Sequence, residues 1–210
     1  ITRIFNPKTV INSSRKFSQL RYNIPKHGSE HVIEGLKNQL NLLNIEHNSI
    51  SDINWLRKKD FINPIKKKFV LFIPGTSQNG SKKQWPSKNF SKLSQLINDL
   101  DFDVVISGTS NDRETTKYIL NKAPKIISLE QYSDFPNFIN LCDSASIIIS
   151  VDTGPAHIAA YSNTPLIWII KSGSYSITNK PFSRNTYIIE AEDMNSIKVD
   201  DVFNKVLELI

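Results

Sequence analysis

Most of the residues that usually announce a function are scarce in this sequence. It has one cysteine, Cys142, among 210 residues. A single thiol excludes a disulfide framework and a cysteine metal cluster, and it suits a reducing compartment with a buried, inert side chain. No apolar run approaches the ~20 residues a helix needs to cross a bilayer, and the first residues carry no secretory pattern. Only 7 glycines are present, and none builds the G-x-G-x-x-G dinucleotide turn. Gly75 and Gly80 have Walker spacing, but Ser81 stands where the lysine belongs, so P-loop chemistry loses support as well. No internal repeat is evident. Zinc fingers, RNA-binding aromatic motifs and a clear basic recognition helix are all missing, so nucleic acid is not expected as a partner.

What is present is basic and strongly patterned. Lys and Arg total 26 against 20 Asp and Glu, a net charge of +6. Such a surface favours anionic partners: nucleotides, phosphorylated glycans or an anionic membrane surface. The Lys66-Lys67-Lys68 run reads as a solvated linker. Hydrophobic residues make up 39%, concentrated in short runs that suffice for a core. The length suits one large domain, or one domain with part of another.

Two regions differ in pattern. Residues 1–65 are irregular: a candidate strand at 1–5, a polar, basic loop at 12–27, a helix over 30–43 and a linker over 44–68. From residue 66 to 210 strands and helices alternate. Strands are expected at 69–73, 104–107, 125–129, 146–151, 166–170 and 186–189. Helices are expected at 87–100 (with Ser87 as its cap), 112–121, 134–143, 155–161 and 196–210. Asp143 reads as a cap or turn residue. Alternation of this kind predicts an α/β fold with a parallel sheet covered on both faces, and its strands are continuous Ile/Val/Phe runs as doubly buried strands should be.

In an open α/β sheet, ligands bind beyond the carboxyl ends of the strands. Three loops of unusual composition lie there. The first runs from Pro74-Gly75-Thr76-Ser77 to Lys83-Gln84-Trp85-Pro86. The second is Ser107-Gly108-Thr109-Ser110-Asn111-Asp112. The third is Asp152-Thr153-Gly154-Pro155-Ala156-His157, where a strand turns into a helix with Pro at its first position. Free N–H groups at such a helix start favour an anion; the competing reading is a plain turn in which Asp152 or Thr153 caps the helix. Hydroxyls, glycines and Lys83 on one rim suit a nucleotide diphosphate. Lys83 supplies a point charge. Lys171, at another strand end on the same rim, is either a further contact or a solvated loop lysine. Trp85 either stacks on a base or packs beside Pro86.

The order strand-PGTS…KKQWP, then VVISGTSND, then IIISVDTGPAHIAA resembles glycosyltransferase family 9, the ADP-heptose:lipopolysaccharide heptosyltransferases, from about residue 69 to 189. A looser likeness covers the helix around His31 and Glu34. The resemblance implies a Rossmann-like parallel sheet forming the C-terminal half of a GT-B glycosyltransferase, with residues 1–65 as a remnant of the acceptor-binding domain and linker. It implies an ADP-sugar donor and a lipopolysaccharide core or related glycan acceptor. Lys83 would meet the diphosphate and Asp152 the donor sugar or the acceptor-facing cleft, and these two would be the catalytic residues. Thr76, Ser77, Gly108, Thr153, Gly154 and His157 would line the donor. The residue meeting the ribose would be Asp112, with Asn111 as the alternative. A family site of this kind stabilises the departing diphosphate by Lys, amides and helix dipole, so no metal and no cofactor are expected. The implied location is cytoplasmic, peripheral at the inner face of the inner membrane. The family's general base lies in a Gly-Asp segment. The sequence has no Gly-Asp dipeptide and begins at Ile1, which makes a fragment inactive on its own the expectation. The alternative is a non-catalytic nucleotide- or glycan-binding module.

Overall fold

The computed structural model describes residues 11–12, 20–23, 30–46, 52–76, 83–108, 113–132, 134–173, 178–183 and 185–210. The chain divides into two compact units, Ile1–Ser51 with Ile177–Lys180, and Asp52–Ser176 with Pro181–Ile210.

The first unit has short elements. β1 (Ile11–Asn12) and β2 (Leu20–Arg21) pair in parallel over two residues each, so Asn12, Leu20 and Arg21 are strand residues within the stretch 12–27 expected to be a loop. The expected strand at 1–5 lies outside the described residues. α1 (Val32–Asn41) forms where the 3.6-residue pattern places it. His31 caps it: Nδ1 accepts from the Ile33 N–H at 3.1 Å, so Nε2 carries the proton and donates to the Lys180 carbonyl at 2.7 Å. Glu30 accepts from the Tyr22 hydroxyl and from Asn38 Nδ2. Gly35 is the one buried residue of α1, and a Cβ there would lie 3.0 Å from Glu30 Oε2.

The second unit is built on six parallel strands: β3 (Phe69–Ile73), β4 (Asp103–Ile106), β5 (Ile127–Ser128), β6 (Ile147–Val151), β7 (Leu166–Lys171) and β8 (Thr186–Ala191). Their order across the sheet is β5-β4-β3-β6-β7-β8. Every residue of β3 and β6 is buried, because helices cover both faces. Alternating side chains sort the core accordingly. Val70, Phe72, Val104, Ile106, Ile147, Ile149, Ile167 and Ile169 face Phe90, Leu93 and Ile97 of α2 (Ser87–Asp99), Ile119 of α3 (Arg113–Lys122) and Val202 and Val206 of the C-terminal helix, Val199–Leu209. Phe69, Leu71, Val105 and Ile148 face Phe138, Ile139, Leu141 and Cys142 of α4 (Phe135–Ser144) and Ala159 of α5 (Gly154–Ala159), which precedes that last helix, α6.

Local chemistry sets several boundaries differently from the sequence reading. Pro86, not Ser87, occupies the cap position of α2; it makes no side-chain cap bond, and Ser87 is the first helical residue. In α4 Asp134 caps through the Asn137 N–H at 2.9 Å. Asp143 is not a cap but a residue of the last turn of α4, held by a two-toothed bond from Arg57 (2.7 and 3.2 Å). Arg57 also donates to the Tyr161 carbonyl. Ile53, Leu56, Phe61 and Ile65 pack into the same core face, so residues 52–65 are part of the second unit. Lys66, Lys67 and Lys68 are exposed, and Lys67 pairs with Asp101.

Candidate functional site

The strand order creates the site. The chain steps outward from β3 through β4 to β5, then returns to lay β6 against the other side of β3 and continues outward through β7 to β8. Connections therefore diverge between β3 and β6, and a crevice opens beyond their carboxyl ends. Val70 to Ile73 register with Ile147 to Ser150, so both strands end together at that crevice.

The β3 wall begins with Pro74 and Gly75, both buried, and Thr76, half-buried. The chain re-enters the described residues at Lys83. Its two neighbours are fixed in the body of the unit. Gln84 Nε2 donates to Thr115 Oγ1 of α3. Trp85 is fully buried, donates from Nε1 to the Ile197 carbonyl at 3.0 Å and packs edge-on to Phe90 with ring centroids 4.9 Å apart. Trp85 is thus a core residue, which removes base stacking from its alternatives. Its anchoring delivers Lys83, whose side chain is 48% exposed, to the rim.

The β6 wall carries Asp152. Its side chain is 11% exposed, and Oδ2 lies 2.7 Å from Lys83 Nζ. Lys83 and Asp152 therefore meet across the switch point. Beneath them Ser150, the one hydroxyl in an otherwise aliphatic strand, is fully buried and bonds the Val151 carbonyl at 3.0 Å and the Ile73 carbonyl at 3.4 Å. This tie between the ends of β6 and β3 was passed over in the sequence reading. A lone polar residue inside Ile147–Val151 is the signal that marks it.

Thr153 occupies the cap position of α5 with extended backbone (φ −149°, ψ 156°) and makes no side-chain cap bond. Gly154 is the first helical residue and Pro155 the second, one position later than expected. Of the first-turn amides, Ala156 already donates to the Thr153 carbonyl at 3.1 Å and Pro155 has none to give. A Cβ built on Gly154 meets nothing within 4 Å, so protein packing does not require glycine there. α5 is six residues long, and half-buried His157 lies in its last turn.

Gly108 follows β4 on the same rim, half-buried, after Ser107, whose N–H donates to the Phe72 carbonyl at 3.0 Å. Ser77, Asn111 and Asp112 lie outside the described residues. Lys171 is exposed at the end of β7. It stands near Asp193, whose carboxyl is held below the usual range first by the Asn195 backbone N–H, then by the Asn195 side chain and, more weakly, by the Lys171 charge. In the first unit, Glu34 pairs with Lys37 at 2.9 Å. Cys142 is buried in the core, and burial pushes its thiol well above the ordinary range.

Asp101-Phe102-Asp103 spells an Asp-x-Asp sequence, two carboxylates spaced as a metal-holding motif can be. It lies at the amino end of β4, away from the crevice, and Asp101 pairs with Lys67. Among the described residues no three His, Cys, Asp or Glu side chains group as metal ligands, and no helix is long and apolar enough to cross a membrane.

Comparison with known proteins places this geometry. A family model described as glycosyltransferase family 9 (heptosyltransferase) matches residues 13–206. Lipooligosaccharide heptosyltransferase 2 of Haemophilus ducreyi is 28% identical over 137 residues, 62% of this chain and 39% of that protein. The chain thus spans well under half the length of that curated relative. Among solved structures, the glycosyl transferase family 9 protein of Veillonella parvula superposes with a TM-score of 0.74 at 14% identity, covering 93% of this chain and 64% of that one. The E. coli heptosyltransferase WaaC with ADP gives 0.72 at 16% identity, covering 93% and 61%. At these identities the structures speak to fold: the sheet is the Rossmann-like α/β sheet of GT-B heptosyltransferases, as the sequence resemblance implied.

Proposed function

Because the chain belongs to glycosyltransferase family 9, the heptosyltransferases, we propose that its second unit holds the donor in the transfer of a heptose, or a related sugar, from an ADP-sugar to a lipopolysaccharide core. The observation that carries this reading is the Lys83–Asp152 pair in the crevice between β3 and β6.

Breaking the bond between the sugar and a nucleoside diphosphate leaves negative charge on the diphosphate. A fixed cation and oriented N–H groups in a sheltered crevice stabilise that charge without reorganising as it develops. Lys83 is the cation. The Thr153 and Gly154 amides are the donors, and the open space before Gly154 lets a phosphate approach the backbone. Thr76 and Ser77 add hydroxyls, Gly108 leaves room on the β4 side, and His157 borders the phosphates from α5. Asp112, or Asn111, would meet the ribose. Asp152 is the acceptor for donor-sugar hydroxyls. In this proposal the charge on the leaving group is met by these groups and no metal is required. The acceptor is a lipopolysaccharide core or related glycan, approached from an anionic membrane surface that the net charge of +6 favours.

Calorimetry without added metal tests the reading: ADP binds in preference to GDP and UDP. A folded sample that takes up no ADP at millimolar concentration sinks it.

A further inference from the structure

We infer that Asp152 is a built-in competitor for Lys83, so that a diphosphate enters the crevice by displacing a carboxylate. The inference rests on the donor-site reading above and adds a rule for what the site admits.

The two partners are held very differently. Asp152 is 11% exposed and sits on the short turn between β6 and α5, in the β6 wall of the crevice. Lys83 is 48% exposed, and its ammonium rides on a flexible four-carbon stem whose base is pinned by the Gln84 and Trp85 anchors. At 2.7 Å the ammonium offsets the loss of water around the carboxylate. It also leaves the pair with no net charge to offer a visitor. An uncharged nucleoside has nothing with which to draw Lys83 away. A diphosphate presents several anionic oxygens at once, and charge-assisted bonds to phosphate are strong enough to take the ammonium over. Apart from its chain neighbours and the backbone of its own helix, nothing lies within 4 Å of the position a Gly154 Cβ would take, so there is space for such a group at the start of α5, two residues along the chain from Asp152. Once Lys83 turns to phosphate, Asp152 is left as an acceptor, and it repels any ligand lacking a cationic group or hydroxyls to satisfy it. Asp152 therefore sets a charge threshold for entry, making it a specificity-determining residue in addition to its place beside the sugar.

Calorimetry on the whole 210-residue chain, with ADP, inorganic pyrophosphate and adenosine, decides this. Asp152→Asn removes the competitor and the repulsion while keeping shape. It should bind ADP and pyrophosphate roughly two- to fivefold more tightly, the worth of a partly exposed ion pair, with adenosine unchanged. Asp152→Ser should do the same, and covers the case in which the amide variant misfolds by thermal melting. Equal or weaker ADP binding in the variants, with wild type binding normally, overturns the inference and leaves the donor-site reading standing; Asp152 would then be holding Lys83 in place for the phosphate. A matching gain for adenosine also overturns it. If neither wild type nor variants bind ADP, both readings fall.

Discussion

The crevice between β3 and β6 and the core directly beneath it are built from the same strands and obey different rules. Beneath the rim, Val70, Phe72, Trp85, Phe90 and Ile149 are fully buried, and their contacts are apolar and fixed. At the rim, within two residues along the chain, exposure rises from zero at Trp85 to 48% at Lys83, and the contact with Asp152 is an ion pair. One loop therefore carries a stem that stabilises the fold and a tip that contributes little to stability. Separation of this kind lets a site keep an exchangeable charge without loosening the sheet that positions it.

Substitutions on either side of that boundary should separate stability from binding. The largest effect is expected from Trp85→Ala, which removes a fully buried indole and its bond to the Ile197 carbonyl. It should cost about 3–5 kcal/mol in denaturant unfolding, and ADP binding should fall with it because Lys83 loses its support. Lys83→Ala should do the converse. Unfolding should change by less than about 1 kcal/mol, as befits a partly exposed pair, while ADP affinity drops about tenfold by calorimetry and adenosine affinity holds. Equal losses for ADP and adenosine would erase the distinction between stem and tip.

Two smaller effects sharpen it. Asp134→Ala removes the α4 cap and should cost about 1 kcal/mol at neutral pH. The Asn137 backbone N–H, and then its side chain, hold the Asp134 carboxyl below its ordinary value of 3.8. A depressed folded-state value means the stabilisation is present above the ordinary value and fades as pH falls through the folded one. The gap between wild type and variant should thus narrow in unfolding experiments below about pH 4, with ADP binding at neutral pH unaffected. The smallest stability change belongs to Gly154→Ala. A Cβ there meets nothing within 4 Å beyond its chain neighbours and its own helix, and Ala favours a helix over Gly, so stability should hold or rise by up to about 1 kcal/mol in thermal or denaturant unfolding. ADP binding should nonetheless weaken, because the added methyl stands where a phosphate approaches.

The sheet was legible from sequence because fully buried strands announce themselves. Phe69–Ile73 and Ile147–Val151 are unbroken apolar or nearly apolar runs bounded by Pro74 and Asp152. The order of motifs put Lys83 and Asp152 on one rim, but their contact was not legible, since nothing local to either residue encodes the strand order that joins them. Less visible features had physical reasons to be so. The pairing of Ile11–Asn12 with Leu20–Arg21 is too short for a periodicity to register. Asp143 looked like a helix end because its partner Arg57 is remote in sequence. Trp85 kept two readings because a Trp beside a Pro looks the same whether its ring is stacked or packed; only the Ile197 carbonyl distinguishes them.

The adjacency of β3 and β6 has a consequence for how the molecule acquires its shape. Two complete strand–helix steps intervene between these neighbours, so their pairing closes a long loop and is entropically a late event relative to the local β3–α2–β4 contacts. The crevice does not exist until that closure. A ligand that touches both walls therefore binds only chains in which β6 has docked, and by mass action it stabilises that state against partly folded ones. Ligand-dependent protection of β6 amides in hydrogen exchange would then follow the last stage of assembly, making the binding site a reporter of the order in which the sheet is completed.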